Sequence, residues 1–129
     1  MARMLVIEDT PANRKLISAL LEQAGHTVQT ASDAETGITL AAEGIDLVLM
    51  DIHLPGMDGL AATRILKEDP RTRRIPVLAI TALATESDKA RILAAGCDGY
   101  IAKPIRYKEL LSAVADTLNR KPDTPEESA

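Results

Sequence analysis

The chain has 129 residues, a formal net charge of −4, 46% hydrophobic and 26% charged residues, and neither Phe nor Trp. That length suits one domain with a real core; the acidic balance argues against a general nucleic-acid binder, and two tyrosines leave no stacking platform for single strands. The lone cysteine, Cys97, cannot form an internal disulfide, and no apolar run approaches the ~20 residues that span a bilayer, so the expected setting is the cytoplasm, with no membrane partner.

Strand-like and helix-like segments alternate five times along the chain. Met4–Glu8 is a short apolar run, hence a buried strand. From Pro11 to Ala24 the residues Leu16, Ile17, Leu20, Leu21 and Ala24 recur at helical spacing, with Pro11 suited to the first turn and Gly25 to a stop. His26–Thr30 is a more polar strand, as befits a sheet edge. Ser32–Glu35 has capping-box spacing and opens a second helix that ends near Gly44.

Leu47–Met50 is apolar throughout and reads as a strand buried on both faces. Asp58 caps a third helix carrying Leu60, Ile65 and Leu66, which Pro70 closes. Pro76–Thr81 is the fourth strand. Thr85 caps a fourth helix that ends at Gly96, and its large apolar anchors are mainly Ile92 and Leu93. Tyr100–Ala102 is a short fifth strand. The last helix, from about Arg106 to Leu118, carries Leu110, Leu111, Val114 and Leu118. Repeated β-α units with apolar strands imply an α/β fold, a doubly wound parallel sheet with helices on both faces. Residues 120–129 are polar, with two prolines and no apolar period, so they are expected to be disordered. An appended output domain would not fit there.

In open α/β sheets ligands bind beyond the carboxyl ends of the strands. There the first strand ends in Glu8-Asp9, the third in Asp51, the fourth in Thr81 and the fifth in Lys103-Pro104. Packed carboxylates repel one another, and Mg²⁺, which prefers hard oxygen ligands, would neutralise Glu8, Asp9 and Asp51. Lys103 adds a positive charge, Thr81 a hydroxyl, and the small Ala82 leaves its backbone N–H approachable. Such a set suits a phosphoryl group, whose transfer is catalysed largely by positioning and charge, with Asp51 as nucleophile.

The ordered motifs "VIED", "LMDIHLPGMDG", "AITA" and "GYIAKPI" closely resemble a response-regulator receiver domain of two-component signalling. The likeness runs from Met4 to about Asn119, making 1–119 the receiver domain. Within that family a single-domain chain with "GYIAKPI" resembles the DivK type, or a receiver cut from a hybrid kinase. The resemblance implies a five-stranded, flavodoxin-like sheet in the order 2-1-3-4-5. The polar second strand and short fifth strand agree with it as edges.

The resemblance also implies roles. Asp51 accepts the phosphoryl group from a phosphohistidine. Asp9 and Asp51 ligate Mg²⁺, Glu8 acts mainly through water, and His53 supplies its carbonyl. Thr81, Ala82 and Lys103 bind the phosphoryl oxygens, so Asp51, Thr81 and Lys103 form the catalytic set. Thr81 and Tyr100 form the switch, and the Lys103–Pro104 bond is cis. Thr10 stands where the family often has Asp or Asn. Implied partners are a histidine kinase or histidine phosphotransfer protein, docking on Pro11–Arg14 and Pro104–Ile105, and a downstream protein target. The implied output face is the fourth helix, fifth strand and fifth helix, on a monomer or a phosphorylation-dependent dimer without direct contact to nucleic acid. His53 and Leu83, two residues after Asp51 and Thr81, flank the path of a hydrolytic water, and the apolar Leu83 implies slow self-dephosphorylation.

Each residue taken alone has a plainer reading. Glu8-Asp9 could be a solvated strand end, Asp51 a turn residue, Lys103 a loop residue and Thr81 a matter of strand propensity. His26 and His53 are not expected to ligate metal through their rings. Cys97 reads as a small packed residue, Arg71–Arg74 as a solvated loop and Tyr107 as a surface residue. Two rival functions remain. A Mg²⁺-dependent, phosphatase-like hydrolase with Asp51 as nucleophile would want a second Asp where His53 stands. A non-phosphorylated interaction module would be expected to lose the acidic pair, the Asp or the Lys.

Overall fold

The computed structural model describes residues 2–82 and 85–120. Its elements, in chain order, are β1 (Arg3–Ile7), α1 (Pro11–Gln23), β2 (Thr27–Ala31), α2 (Ala34–Ala41), β3 (Leu47–Asp51), α3 (Gly59–Glu68), β4 (Val77–Thr81), α4 (Glu86–Ala94), β5 (Gly99–Ala102) and α5 (Tyr107–Arg120). The strands form one parallel sheet in the order β2-β1-β3-β4-β5. The polar second strand and the short fifth strand lie at its edges, as expected.

Alternation along each strand divides the core in two. Leu5, Ile7, Val48, Met50, Val77 and Ala79 pack with Ala34 and Ala41 of α2, Leu60 and Leu66 of α3, and Ile92 of α4. Met4, Val6, Leu47, Leu49, Leu78, Ile80 and Ile101 pack with Ile17 and Leu21 of α1 and Leu110 and Val114 of α5. The central strands β3 and β4 are buried at every position, which is why their sequences show no polar alternation. Each fully buried Leu, Ile or Met side chain contributes on the order of 1.5–3 kcal/mol of hydrophobic stabilisation.

Local signals place most boundaries. Pro11 begins α1, and Gly25 follows it with φ +96°, a left-handed conformation that favours glycine. Asp58 caps α3 by accepting from the Ala61 N–H at 2.8 Å. Thr85 caps α4 in a full capping box with Asp88.

Other expectations need correction. The cap of α2 is Asp33, which accepts from Thr36 N–H at 2.7 Å, one residue later than the Ser32–Glu35 spacing suggested. A carboxylate is the better acceptor against the positive end of a helix. His26 precedes β2 instead of starting it, and accepts the Ala2 N–H on Nδ1. Leu16, Ile65 and Leu93 share their helices' apolar periods but are exposed, Leu93 at 56%. Hence α4 has a single buried anchor, Ile92. No described helix is long and apolar enough to cross a membrane. Arg120, expected to begin the disordered tail at 120–129, is the last residue of α5; residues 121–129 lie outside the described residues.

Candidate phosphoryl site at the strand ends

The register of the sheet brings the polar strand ends to one level. Ile7 pairs with Met50, so Glu8 follows beside Asp51; Thr81 pairs with Ala102, so Lys103 follows just beyond. Glu8, Asp51 and Lys103 continue the side-chain alternation of Met4-Val6, Leu47-Leu49 and Ile101, all of which pack on the α1–α5 side. Thr81 continues the opposite alternation, that of Val77 and Ala79.

Asp51 is only 1% exposed. Its Oδ1 accepts the His53 N–H at 2.9 Å, and its Oδ2 lies 3.3 Å from Lys103 Nζ. Glu8 is fully buried. Its Oε2 accepts the Thr10 N–H at 3.0 Å, whereas Oε1 has no hydrogen-bond partner and faces Lys103 Nζ at 3.7 Å. Carboxylate oxygens of Glu8, Asp9 and Asp51 lie within 4.8 Å of one another. One lysine against three carboxylates leaves excess negative charge, and an orphaned buried oxygen is costly. Both features fit a divalent cation held by hard oxygens.

Burial pushes the Glu8 carboxyl above its usual range, and the neighbouring Asp51 charge adds to the effect. An acid with a raised folded-state pKa favours the folded state while it stays protonated. That contribution is complete below the unfolded pKa and is lost as pH rises through the folded value. Without divalent cations, stability should therefore fall across that window in the wild type. Glu8→Gln should flatten the fall and raise the melting temperature at neutral pH. Melting curves against pH in a chelator test this, and parallel curves for the two proteins would contradict it.

The remaining expected site residues fall around this cluster. Thr81 is buried at the end of β4, and its carbonyl accepts the Lys103 N–H at 2.8 Å, tying the two strand ends together. Ala82 is exposed beside it. The Lys103–Pro104 bond is cis. Tyr100 is half-buried and packs against the cluster beneath α4, on the same side of the sheet as Thr81. His53 puts its ring in solvent, leaving its main chain next to Asp51. Leu83, expected to screen the site from water, lies outside the described residues.

Of the residues read as structural, Cys97 is buried near Thr63 Oγ1 at 3.8 Å, with its thiol pushed up by burial. Arg71 pairs with Asp69 at 2.9 Å, and Tyr107 is half exposed.

Two supporting residues were not legible in their full role. Arg14, expected only at a docking surface, donates from Nη1 to the carbonyls of Glu8 at 2.8 Å and Asp9 at 3.3 Å, and so pins the acidic turn. Its place in the first turns of α1, six residues after Glu8, was the available signal. Gly59 lies against the backbone that follows β3. A Cβ there would sit 2.6 Å from Ile52 Cα and collide with the Asp51 carbonyl, neither of which yields easily. The second glycine of "GMDG" marked the position but not the neighbour. Gly59→Ala should cost about 1–3 kcal/mol by overpacking. Urea unfolding measures this, and an unchanged midpoint would mean that the loop absorbs the methyl freely.

Residues 4–115 match the family model for the response regulator receiver domain. The polar-differentiation response regulator DivK of Brucella ovis is 41% identical over 117 residues, covering 89% of this chain and 94% of DivK. The response regulator PleD of Caulobacter vibrioides is 43% identical over 105 residues, covering 81% of this chain but 23% of PleD; the chain thus spans less than a quarter of that relative. Among solved structures, the receiver domain of the sensor histidine kinase PA1611 from Pseudomonas aeruginosa PAO1 has a magnesium ion coordinated in its active-site cleft. It matches with a TM-score of 0.84 and 34% identity, covering 92% of this chain and 98% of that one.

Proposed function

The chain belongs to the response regulator receiver family, and from that premise we propose that it is a signalling switch thrown by phosphorylation of Asp51. The observation that carries this reading is the setting of Asp51. It is a buried carboxylate at a strand end, with one oxygen held by a backbone N–H and the other beside Lys103. An Asp51 oxygen attacks the phosphorus of a phosphohistidine as the phosphorus–nitrogen bond breaks, and the imidazole leaves with that electron pair. In this reading the Lys103 ammonium and the Thr81 hydroxyl stabilise the charge on the phosphoryl oxygens, with the Ala82 N–H as a further donor.

Asp9 and Asp51, the His53 carbonyl, and Glu8 through water would hold Mg²⁺. The ion, when bound, supplies positive charge against the phosphoryl oxygens and the carboxylates. Arg14 keeps the Glu8-Asp9 turn in place for that role.

The output is a change in protein contacts. Thr81 and Tyr100 lie on one side of the sheet, beneath a helix with one buried anchor, and weak anchoring makes a segment easier to displace. As the Thr81 hydroxyl turns toward the phosphoryl group, the Tyr100 ring and α4 shift with it. Thr81→Ala should still accept a phosphoryl group on Asp51 yet lose most of the α4 NMR shift changes that follow. Wild-type shift changes in that variant would uncouple the pair. The phosphoryl donor is a histidine kinase or histidine phosphotransfer protein, docking on Pro11–Arg14 and Pro104–Ile105, and the face formed by α4, β5 and α5 meets the downstream target.

Incubation with acetyl phosphate and Mg²⁺ separates this reading from a hydrolase. The switch gains one phosphoryl group per chain and turns over few other substrates. Sustained release of phosphate from many organic phosphates would overturn it.

A further inference from the structure

The Nζ of Lys89, on α4, sits 5.8 Å from the centre of the Tyr100 ring on β5. The same ammonium is paired with Glu86 Oε2 at 3.3 Å, one turn earlier on α4. A cation over an aromatic face is attracted by the negative charge of the π system. Here it joins the loosest helix of the fold to the ring beneath it. Ile92 is the one buried side chain of α4, and Leu93, its other large apolar residue, faces water. With so little apolar anchoring, α4 is the helix on which a single polar contact to the ring has the most leverage. Polar interactions with the Tyr100 and Glu86 side chains also hold the Lys89 ammonium more firmly protonated than usual.

We propose that Lys89 is a positioning residue for Tyr100: its ammonium, steadied by Glu86, favours the ring orientation seen in this structure and so sets how readily the ring and α4 move. The proposal rests on the reading of Tyr100 as the moving part of the switch. Loss of the Lys89 charge leaves the fold intact, because the side chain is outside the core, and changes the balance between ring orientations. A cation–π contact at a partly exposed site corresponds to roughly a two- to fivefold change in that balance. Neutralising Lys89 would therefore retune the switch without touching the phosphoryl site.

The chain has only two tyrosines, Tyr100 and Tyr107, so fluorotyrosine labelling gives two ¹⁹F signals, and Tyr107→Phe assigns them. Relaxation dispersion on the Tyr100 signal yields the populations of its orientations. In Lys89→Met the orientation favoured by the wild type should lose roughly two- to fivefold in relative population. Lys89→Arg should restore it, since a guanidinium also binds an aromatic face. Phosphorylation of Asp51 by acetyl phosphate with Mg²⁺ should proceed to the same extent in all three proteins. If the wild-type signal responds to phosphorylation while Lys89→Met matches wild type in both states, the role of Lys89 is overturned and the switch reading stands. If the wild-type Tyr100 signal ignores phosphorylation of Asp51, the switch reading fails, and the regulatory role of Lys89 fails with it.

Discussion

Asp51→Asn is expected to abolish phosphorylation while leaving a folded protein. The amide has nearly the volume of the carboxylate, and its oxygen can still accept the His53 N–H that Asp51 accepts at 2.9 Å. What it lacks is a nucleophilic oxyanion. No other carboxylate of the rim is equally placed: Glu8 is fully buried with one oxygen committed to the Thr10 N–H, and Asp9 lies at the outer end of the acidic pair. Labelling by a phosphohistidine donor or by acetyl phosphate should fall to background. The loss of one buried negative charge should also relieve repulsion with Glu8, so the melting temperature should not drop. Stoichiometric labelling of the variant would remove Asp51 from the mechanism. A variant that fails to fold would show that Asp51 is structural first.

The second large effect concerns Mg²⁺. An ion that binds the folded chain and not the unfolded one stabilises it by RT ln(1 + [L]/Kd), about 2.7 kcal/mol at a hundredfold excess over Kd. For a domain of this size that is a rise of roughly 10 °C in melting temperature. The gain should be large here because the ion would answer a cost present without it, the crowding of Glu8, Asp9 and Asp51 and the buried Glu8 Oε1 that no hydrogen bond satisfies. Asp9→Ala should remove most of the rise while leaving the core untouched, since Asp9 lies outside both buried clusters. An equal Mg²⁺-dependent shift in that variant would place the ion elsewhere.

The parts of this protein that were legible in its sequence are those written in contiguous residues. The unbroken run Leu47–Met50 announced a central strand, and the charged residue after it, Asp51, announced the rim. The same reading at Glu8-Asp9, Thr81 and Lys103 was enough to assemble the site, because parallel strands bring their carboxyl ends together. Less legible were choices between adjacent candidates. Ser32 and Asp33 are both capping residues, and only the position of the Thr36 N–H decides between them. Periodicity put Leu16 and Ile65 on apolar faces, but it does not say how far a neighbouring helix extends to cover them. Close approaches between elements that follow one another in the chain were not legible. Gly59 against the Asp51 backbone and Lys89 over Tyr100 each join residues whose approach depends on the packed fold.

Chemical trapping reads directly whether Asp51 is the phosphoryl acceptor. An aspartyl phosphate is an acyl phosphate, and borohydride reduces its activated carbonyl to an alcohol, leaving ordinary carboxylates unchanged. Wild-type protein phosphorylated in Mg²⁺, reduced and digested should show homoserine at position 51 and at no other aspartate. Homoserine at position 9, or a phosphorylated chain with an unmodified Asp51, would contradict the account.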